Sequence, residues 1–99
     1  MDQRDIVMSD MVLPSSPIYM VGNEQVTMVA GLVIDCHCDF MQALDYRLEM
    51  ETWLKNNGQA RFNVIMNSAH KEYDRPCYRV RILFESIEDA IYIKLKYGG

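Results

Sequence analysis

An apolar residue at every second position from Val26 to Phe40 is the sequence feature that most constrains the fold of this chain. Successive side chains of a β-strand point to opposite faces, so this spacing predicts a strand with one buried face. The pattern is long for one strand, and Gly31 is the predicted place for a bulge or bend. The apolar column consists of Val26, Met28, Ala30, Leu32, Ile34, Cys36, Cys38 and Phe40. A sheet with one buried face is therefore the expected centre of the fold.

Helix signals follow this column directly. Asp39 stands at an N-cap position with Gln42 as its capping-box partner, and the good helix formers behind it end near Asn57. Gly58 then favours a helix end, because glycine adopts a left-handed cap conformation without a Cβ clash. The apolar stripe predicted to cover the sheet comprises Phe40, Ala43, Leu44, Met50 and Leu54, with Tyr46 and Trp53 on its flanks.

Strand patterns also precede and follow this helix. Residues 18–21 and the start of the column predict a hairpin, for which Gly22, Asn23 and Glu24 supply the turn. Alternation over residues 60–67 and 77–85 predicts a second pair of neighbouring strands. In the last strand the expected inner residues are Tyr78, Val80, Ile82 and Phe84, and the expected outer residues are Cys77, Arg79, Arg81, Leu83 and Glu85.

Residues 86–97 allow two interpretations. Ser86 followed by Glu88 and Asp89 is typical of a helix start, and the buried face of that helix would hold Ile87, Ala90, Ile91 and Leu95. Alternation of apolar residues from position 91 to position 97 would also fit a strand. We prefer the helix because of its capping signal.

The resulting order, strand, strand, helix, strand, strand, helix, predicts an α+β fold. We expect a two-layer sandwich in which a four-stranded, mainly antiparallel sheet carries both helices on one face. Residues 17–99 are expected to form this single domain, because a chain of 99 residues is too short to bury two cores. Residues 1–16 are expected to form an apolar N-terminal arm, which packs on the domain or on a second copy.

Composition excludes several classes of protein. Apolar residues make up 49% of the chain and charged residues 24%, as in ordinary globular domains. The net charge of −4, from 14 acidic and 10 basic residues, argues against a general nucleic-acid binder. Three cysteines without a secretory signal favour reduced thiols and a cytoplasmic location. No apolar run approaches the ~20 residues of a membrane helix, so no membrane partner is expected.

The cysteines are the one group with metal-binding chemistry. Zinc prefers thiolate and imidazole ligands, and an alternative zinc site would use Cys36, Cys38, His70 and Cys77. Cys36 and Cys38, however, continue the buried column, where cysteine serves as a small apolar side chain. We therefore predict core packing for these thiols, with no metal and no cofactor.

Asp35, His37 and Asp39 alternate on the other face of the same strand, which offers an imidazole with carboxylate partners for acid–base chemistry. The chain has no Gly-x-Ser-x-Gly motif, no phosphate-cradling glycine loop and no identifiable nucleophile beside these groups. A solvated strand end is the simpler interpretation. We predict no catalytic residues and no enzyme activity.

Arginines mark the sheet face that should point away from the helices. Arg61, Arg79 and Arg81 alternate outward, with Lys71 and Arg75 in the adjoining loop. RNA-binding sheets stack bases on aromatic side chains, and this face has none, so nucleic acid is not the expected partner. The simpler expectation is cross-strand charge pairing with Asp35 and Glu85.

The loop from Ser68 to Pro76 is the segment most typical of an interaction site, because tyrosine and arginine are enriched in binding hot spots. Trp53 and Tyr46 could extend an apolar contact patch, although a tryptophan beside an apolar stripe more often marks the edge of a core. The predicted contacts to a protein partner are His70, Lys71, Tyr73, Arg75, Arg79 and Arg81.

The C-terminal stretch from Phe84 to Gly98 contains a strand end, an Asp-Ala pair and a Lys-Leu-aromatic helix. In this it resembles the tail of small uncharacterised tailed-phage accessory proteins. The resemblance implies a class rich in inhibitors of host machinery, such as defence or nucleic-acid enzymes. Our leading expectation is a non-enzymatic binding protein of this kind. The alternatives are a homodimeric assembly protein, which uses the arm and a sheet edge, and a small zinc-binding protein.

Overall fold

A computed structural model of the chain describes residues 6–13, 18–69, 71 and 74–98. The elements follow one another as six strands and two helices in the described residues. They are β1 (Ile6–Met8), β2 (Ile18–Val21), β3 (Glu24–Thr27), β4 (Ala30–Cys36), α1 (Phe40–Asn57), β5 (Phe62–Ser68), β6 (Tyr78–Phe84) and α2 (Ile87–Tyr97). Neither helix is both long and apolar enough to cross a membrane, as far as the described residues go.

The main sheet has four strands in the order β1-β4-β6-β5, and all neighbours are antiparallel. Both helices pack on one side of it, where the inner side chains of β4 and β6 share a core with α1 and α2. The predicted α+β fold, a four-stranded antiparallel sheet with two helices on one face, is therefore confirmed.

The membership of this sheet differs from the prediction in one strand. Residues predicted to form the arm supply the edge strand β1, whereas the hairpin β2–β3 forms a separate two-stranded sheet. The edge of β4 is already occupied, because β1 pairs with it, the Ser9 N–H bonds the Val33 carbonyl at 2.9 Å and Val12 bridges to Gly31. Lys94 of α2 forms an ion pair with the segment that follows β1, since its Nζ lies 2.7 Å from Oδ1 of Asp10.

The hairpin β2–β3 closes through a two-residue turn at Gly22 and Asn23. Gly22 has φ 62°, and it is the one described residue with a positive φ. A positive φ at the first central position only is typical of a type II′ turn, which favours glycine there. The predicted hairpin is confirmed, but Glu24, which was expected in the turn, begins β3 and pairs with Val21.

The apolar column is buried from Val26 to Cys36, as predicted. The strand is interrupted between β3 and β4 at Met28 and Val29, whereas Gly31 pairs with Leu83 in regular register, so the predicted bulge or bend at Gly31 is wrong. Gly31 instead allows close packing, because a Cβ atom there would lie 3.2 Å from Cδ2 of Leu83. The column also ends earlier than expected, since Phe40 begins α1 and is 47% exposed.

Helix α1 begins at the predicted cap, where the Gln42 N–H donates to Oδ1 of Asp39 at 2.9 Å. It ends at Asn57, and the N–H of Gly58 bonds the Leu54 carbonyl at 2.8 Å. Gly58 has extended backbone and not the predicted left-handed conformation. Glycine is required there for space, because a Cβ would lie 2.5 Å from the Leu54 carbonyl oxygen. The buried face of α1 consists of Ala43, Tyr46, Met50 and Leu54.

Residues 87–97 form the helix α2, so the strand interpretation is wrong. The predicted buried face is also wrong except for Ala90, because Ile87, Ile91 and Leu95 are exposed, Leu95 by 73%. The buried residues are Asp89, Ala90, Ile93 and Tyr97. The carboxylate of Asp89 fixes this rotation, since it accepts backbone hydrogen bonds from the turn between α1 and β5.

Cys77, which the alternation of β6 placed on the exposed outer face, is fully buried. Its carbonyl accepts the N–H of Ala69 at 2.8 Å, one step before β6 begins. The ladder between β5 and β6 therefore extends to Cys77, and the alternation predicted the side of the strand but not that this position is covered. Val80, Ile82 and Phe84 are buried as predicted.

Candidate interaction face

The side of the main sheet opposite the helices carries the outward residues of all four strands, and we call it the open face. Cross-strand register aligns these residues in rows from β1 to β5. Its apolar members are partly or largely exposed, with Val7 at 56% and Ile65 at 41%. The open face consists of Val7, Val33, Asp35, Asn63, Ile65, Asn67, Arg79, Arg81 and Leu83.

Asp35 and Arg79 form a two-pronged ion pair across β4 and β6. Nε of Arg79 lies 2.8 Å from Oδ1 of Asp35, and Nη2 lies 3.3 Å from Oδ2. Only 20% of the arginine side chain and 14% of the aspartate side chain are exposed. The predicted cross-strand pair is confirmed, and it engages Arg79 in holding the sheet.

Arg61 directly precedes β5 and contacts two other segments. Its Nη2 is 2.9 Å from Oε2 of Glu85, and its Nη1 also contacts the carboxylate of Glu24 in the hairpin β2–β3. Hydrogen bonds from the side chain and backbone of Arg61 lower the pKa of Glu85, and the bond to Glu85 raises the pKa of Arg61. This pairing with Glu85 was also predicted, and it removes Arg61 from the set of available charges.

Arg81, unlike Arg61 and Arg79, has no carboxylate partner among the described residues. It stands in one row with Val33 on β4 and Ile65 on β5, so aliphatic side chains flank it on both sides. The residue is exposed, and no ion pair or hydrogen bond joins its guanidinium to any side chain in the described part of the chain. It is the charge on this face that remains available to a partner.

The structure describes only some of the other residues that were predicted to contact a partner. Lys71 and Arg75 are exposed at the end of the main sheet that leads into β6. His70 and Tyr73 lie outside the described residues, so the structure does not test whether the loop gathers all four side chains. Arg79 and Arg81 occupy neighbouring rows of the open face.

The three residues considered for acid–base chemistry have different roles in the structure. Asp35 is bound to Arg79, and Asp39 caps α1. His37 is half-buried between them in the chain, beyond the end of β4. The expectation that the chain is not an enzyme stays a prediction.

The thiols follow the packing interpretation. Cys36 and Cys77 are buried and Cys38 is half-buried, and none of them is in a disulfide. Burial raises the pKa of Cys36 to about 12, with smaller contributions from Cys38, Cys77 and Asp35. The described residues contain no group of three or more ligating side chains that could hold a metal ion. The fourth alternative ligand, His70, lies outside the described residues.

A shallow groove of about 450 Å³ runs between α1 and the end of α2. Trp53 is half-buried beside it and packs on Tyr92, with ring centroids 6.0 Å apart. The hydroxyl of Tyr97 donates to Oε1 of Glu49 at 3.2 Å, and burial raises the pKa of Tyr97 to about 12. Trp53 therefore joins the two helices as well as bordering the groove.

Sequence reasoning missed Asp89 as a buried carboxylate. It is fully buried and accepts the N–H of Gln59 on both oxygens at 3.0 Å and the N–H of Ala60 at 3.2 Å. Nothing local distinguishes it from Glu88, because both acids fit the first turn of a helix. Its role is to hold the turn that leads into β5.

Comparison with models of protein families, with curated proteins and with solved structures finds no match to this chain.

Proposed function

We propose that this chain is a non-enzymatic binding protein that occupies the surface of a protein partner with its open face. The observation that carries the proposal is the position of Arg81, exposed and without an ion pair among the described residues, between Val33 and Ile65. Arginine surrounded by apolar side chains is typical of the centre of binding hot spots. Its guanidinium forms two parallel hydrogen bonds with a carboxylate, which predicts an aspartate or glutamate on the partner.

The remainder of the face supports this role. Val33, Ile65 and Leu83 present aliphatic surface around the arginine, and the Asp35–Arg79 pair keeps the neighbouring row rigid. Val7 adds aliphatic surface at the β1 edge of the face. A contact of this kind needs no moving part and no bound cofactor, because the sheet already holds the side chains in place. The partner would lose access to its own surface when the face is covered.

The finer proposal is a phage-encoded inhibitor of a host defence or nucleic-acid-processing protein, which acts by occlusion in the host cytoplasm. Its support is the resemblance of the stretch from Phe84 to Gly98 to phage accessory proteins. That stretch corresponds to the end of β6 and to α2. The resemblance thus concerns the scaffold behind the open face and not the face itself.

The test is quantitative capture of partners from the lysate of the native source by immobilised wild-type and variant chains. Arg81→Glu reverses the charge at the centre of the face, whereas Lys55→Glu makes the same change on the exposed surface of α1. We expect a protein that the wild type and Lys55→Glu retain and that Arg81→Glu loses by at least about tenfold, since a charge-assisted contact contributes ~1.5–3 kcal/mol. Equal retention by all three chains would exclude Arg81 as an anchor.

A further inference from the structure

Strand β5 is an edge of the main sheet and presents one side of its backbone without a strand partner in the described part of the chain. It pairs with β6 along all seven of its residues. The other edge, β1, is three residues long and therefore offers much less backbone. An edge strand of this length is a template for the addition of another strand.

The hydrogen bonds at the two ends of β5 show which backbone groups face outward. The N–H of Glu85 bonds the carbonyl of Arg61, and the N–H of Ala69 bonds the carbonyl of Cys77. Antiparallel ladders alternate between hydrogen-bonded and non-bonded pairs, so the odd-numbered residues from 61 to 69 bond to β6. The even-numbered residues Val64 and Met66 consequently direct their N–H and C=O groups away from the sheet.

The side chains of β5 make it unusual as an edge. Phe62–Ser68 contains no charged residue and no proline, the devices that commonly prevent edge-to-edge pairing. Two copies of this strand can therefore lie side by side without placing like charges opposite each other. The sequence of the strand is also nearly symmetric about Ile65, with Asn63 and Asn67 at equal distances on either side.

We propose that β5 pairs antiparallel with β5 of a second copy of this chain, about a two-fold axis at Ile65. This register brings Val64 opposite Met66 of the second copy, and the axis generates the same pair twice. Both residues carry the outward backbone groups, so each pair exchanges two hydrogen bonds. Ile65 meets its own counterpart in a non-bonded pair, where side chains approach most closely, and Asn63 faces Asn67.

The product is one continuous sheet with all helices on one side and two open faces side by side. Strand pairing with little additional contact buries less than the ~1,200 Å² of a standard stable interface, so the dimer is expected to be reversible, with a micromolar dissociation constant. The second copy is the occupant that this symmetric, uncharged register fits.

Sedimentation velocity of the full chain over concentrations up to about 1 mM tests the proposal. Because Ile65 meets itself on the axis, Ile65→Lys and Ile65→Glu each place like charges together and should weaken dimerisation by at least about tenfold. An equimolar mixture of the two variants places lysine opposite glutamate. The mixture should recover the wild-type dissociation constant to within a few fold, as a heterodimer.

The matched control is Val7→Lys, which puts the same charge on an exposed aliphatic position of the same face at the opposite edge of the sheet. It should leave the dissociation constant unchanged. Far-UV circular dichroism and thermal unfolding of each variant separate loss of pairing from loss of folding. A wild-type chain that remains monomeric at about 1 mM, or a folded mixture that fails to recover dimerisation, would overturn the proposal.

Discussion

Replacement of Asp89 by alanine is expected to destabilise the fold far more than replacement of its neighbour Glu88. The carboxylate of Asp89 is fully buried and accepts backbone N–H groups from Gln59 and Ala60 at 3.0 to 3.2 Å. Alanine would leave both donors without a partner. Glu88 is exposed, and its bond to the Gln59 side chain can be replaced by water.

The magnitude follows from these contacts. A buried donor left without a partner costs ~1–3 kcal/mol, and the low end applies because Gln59 and Ala60 retain some exposure. The loss of a negative charge from the first turn of α2 adds about 0.5 kcal/mol. We therefore expect Asp89→Ala to lower the free energy of unfolding by about 2.5 kcal/mol. Glu88→Ala should lower it by about 0.5 kcal/mol.

Urea unfolding followed by circular dichroism measures both values, and thermal unfolding should show a drop of about 10–20 °C in Tm for Asp89→Ala. Asp89→Asn keeps one acceptor oxygen and should fall between alanine and the wild type. If Asp89→Ala costs no more than Glu88→Ala, the backbone contacts do not stabilise the turn. The cost of burying the charge would then outweigh the hydrogen bonds.

Three further predictions concern the titratable groups and the open face. Burial raises the folded-state pKa of Cys36 and of Tyr97 to about 12, above their unfolded values. The contribution of these two groups should therefore be constant below about pH 8, and stability should fall as the pH rises from there toward 12. Urea midpoints measured between pH 8 and pH 11 check this, and Tyr97→Phe should flatten the decline above about pH 10. A thiol reagent at about pH 8 should modify Cys38 first and should modify Cys36 and Cys77 only after unfolding. Mass spectrometry measures the modification rate of each thiol, and similar rates for all three would contradict the packing interpretation. A double-mutant cycle of Asp35→Ala and Arg79→Ala should give a coupling energy of about 1 kcal/mol, because the pair is less exposed than typical surface ion pairs. A value near zero would show that the pair does not stabilise the open face.

The strongest part of the sequence prediction rests on local periodicity. The alternation from Val26 to Cys36 fixes one face of the sheet, because every reversal of that pattern would expose an apolar side chain. The cap at Asp39 is equally local, since its carboxylate bonds a backbone group three residues away. The pairing of Asp35 with Arg79 could also be predicted, because both residues alternate outward on strands that were expected to form the sheet.

The errors arise where distant contacts decide the structure. Strand β1 is three residues long and carries no pattern of its own, so only its pairing with β4 defines it. The buried face of α2 depends on Asp89, whose partners at Gln59 and Ala60 lie about 30 positions earlier in the chain. A local hydropathy pattern favours Ile87 and Leu95 for the core and cannot weigh a buried carboxylate.

The same division holds for the candidate site. The alternation predicted which arginines point outward from the sheet. Whether each guanidinium is already bound to a carboxylate depends on contacts between strands, which the sequence does not give. Arg79 and Arg61 are held by carboxylates, whereas Arg81 has aliphatic neighbours on both sides. The position of β5 at the edge of the sheet likewise became visible only with the strand order, because sequence alone does not say which strand is last.

Chemical modification of Arg81 in the free chain and in complex with the captured partner tests the proposed function most directly. An arginine-specific dicarbonyl reagent, with modified sites read by mass spectrometry, should label the exposed residues Arg75 and Arg81 in the free chain. In the complex we expect Arg81 to react at least about tenfold more slowly, because a buried guanidinium bound to a carboxylate is shielded. The rate at Arg47, on α1 at the other side of the sheet, is the internal reference. Labelling of Arg81 at the same rate in both states would contradict the account.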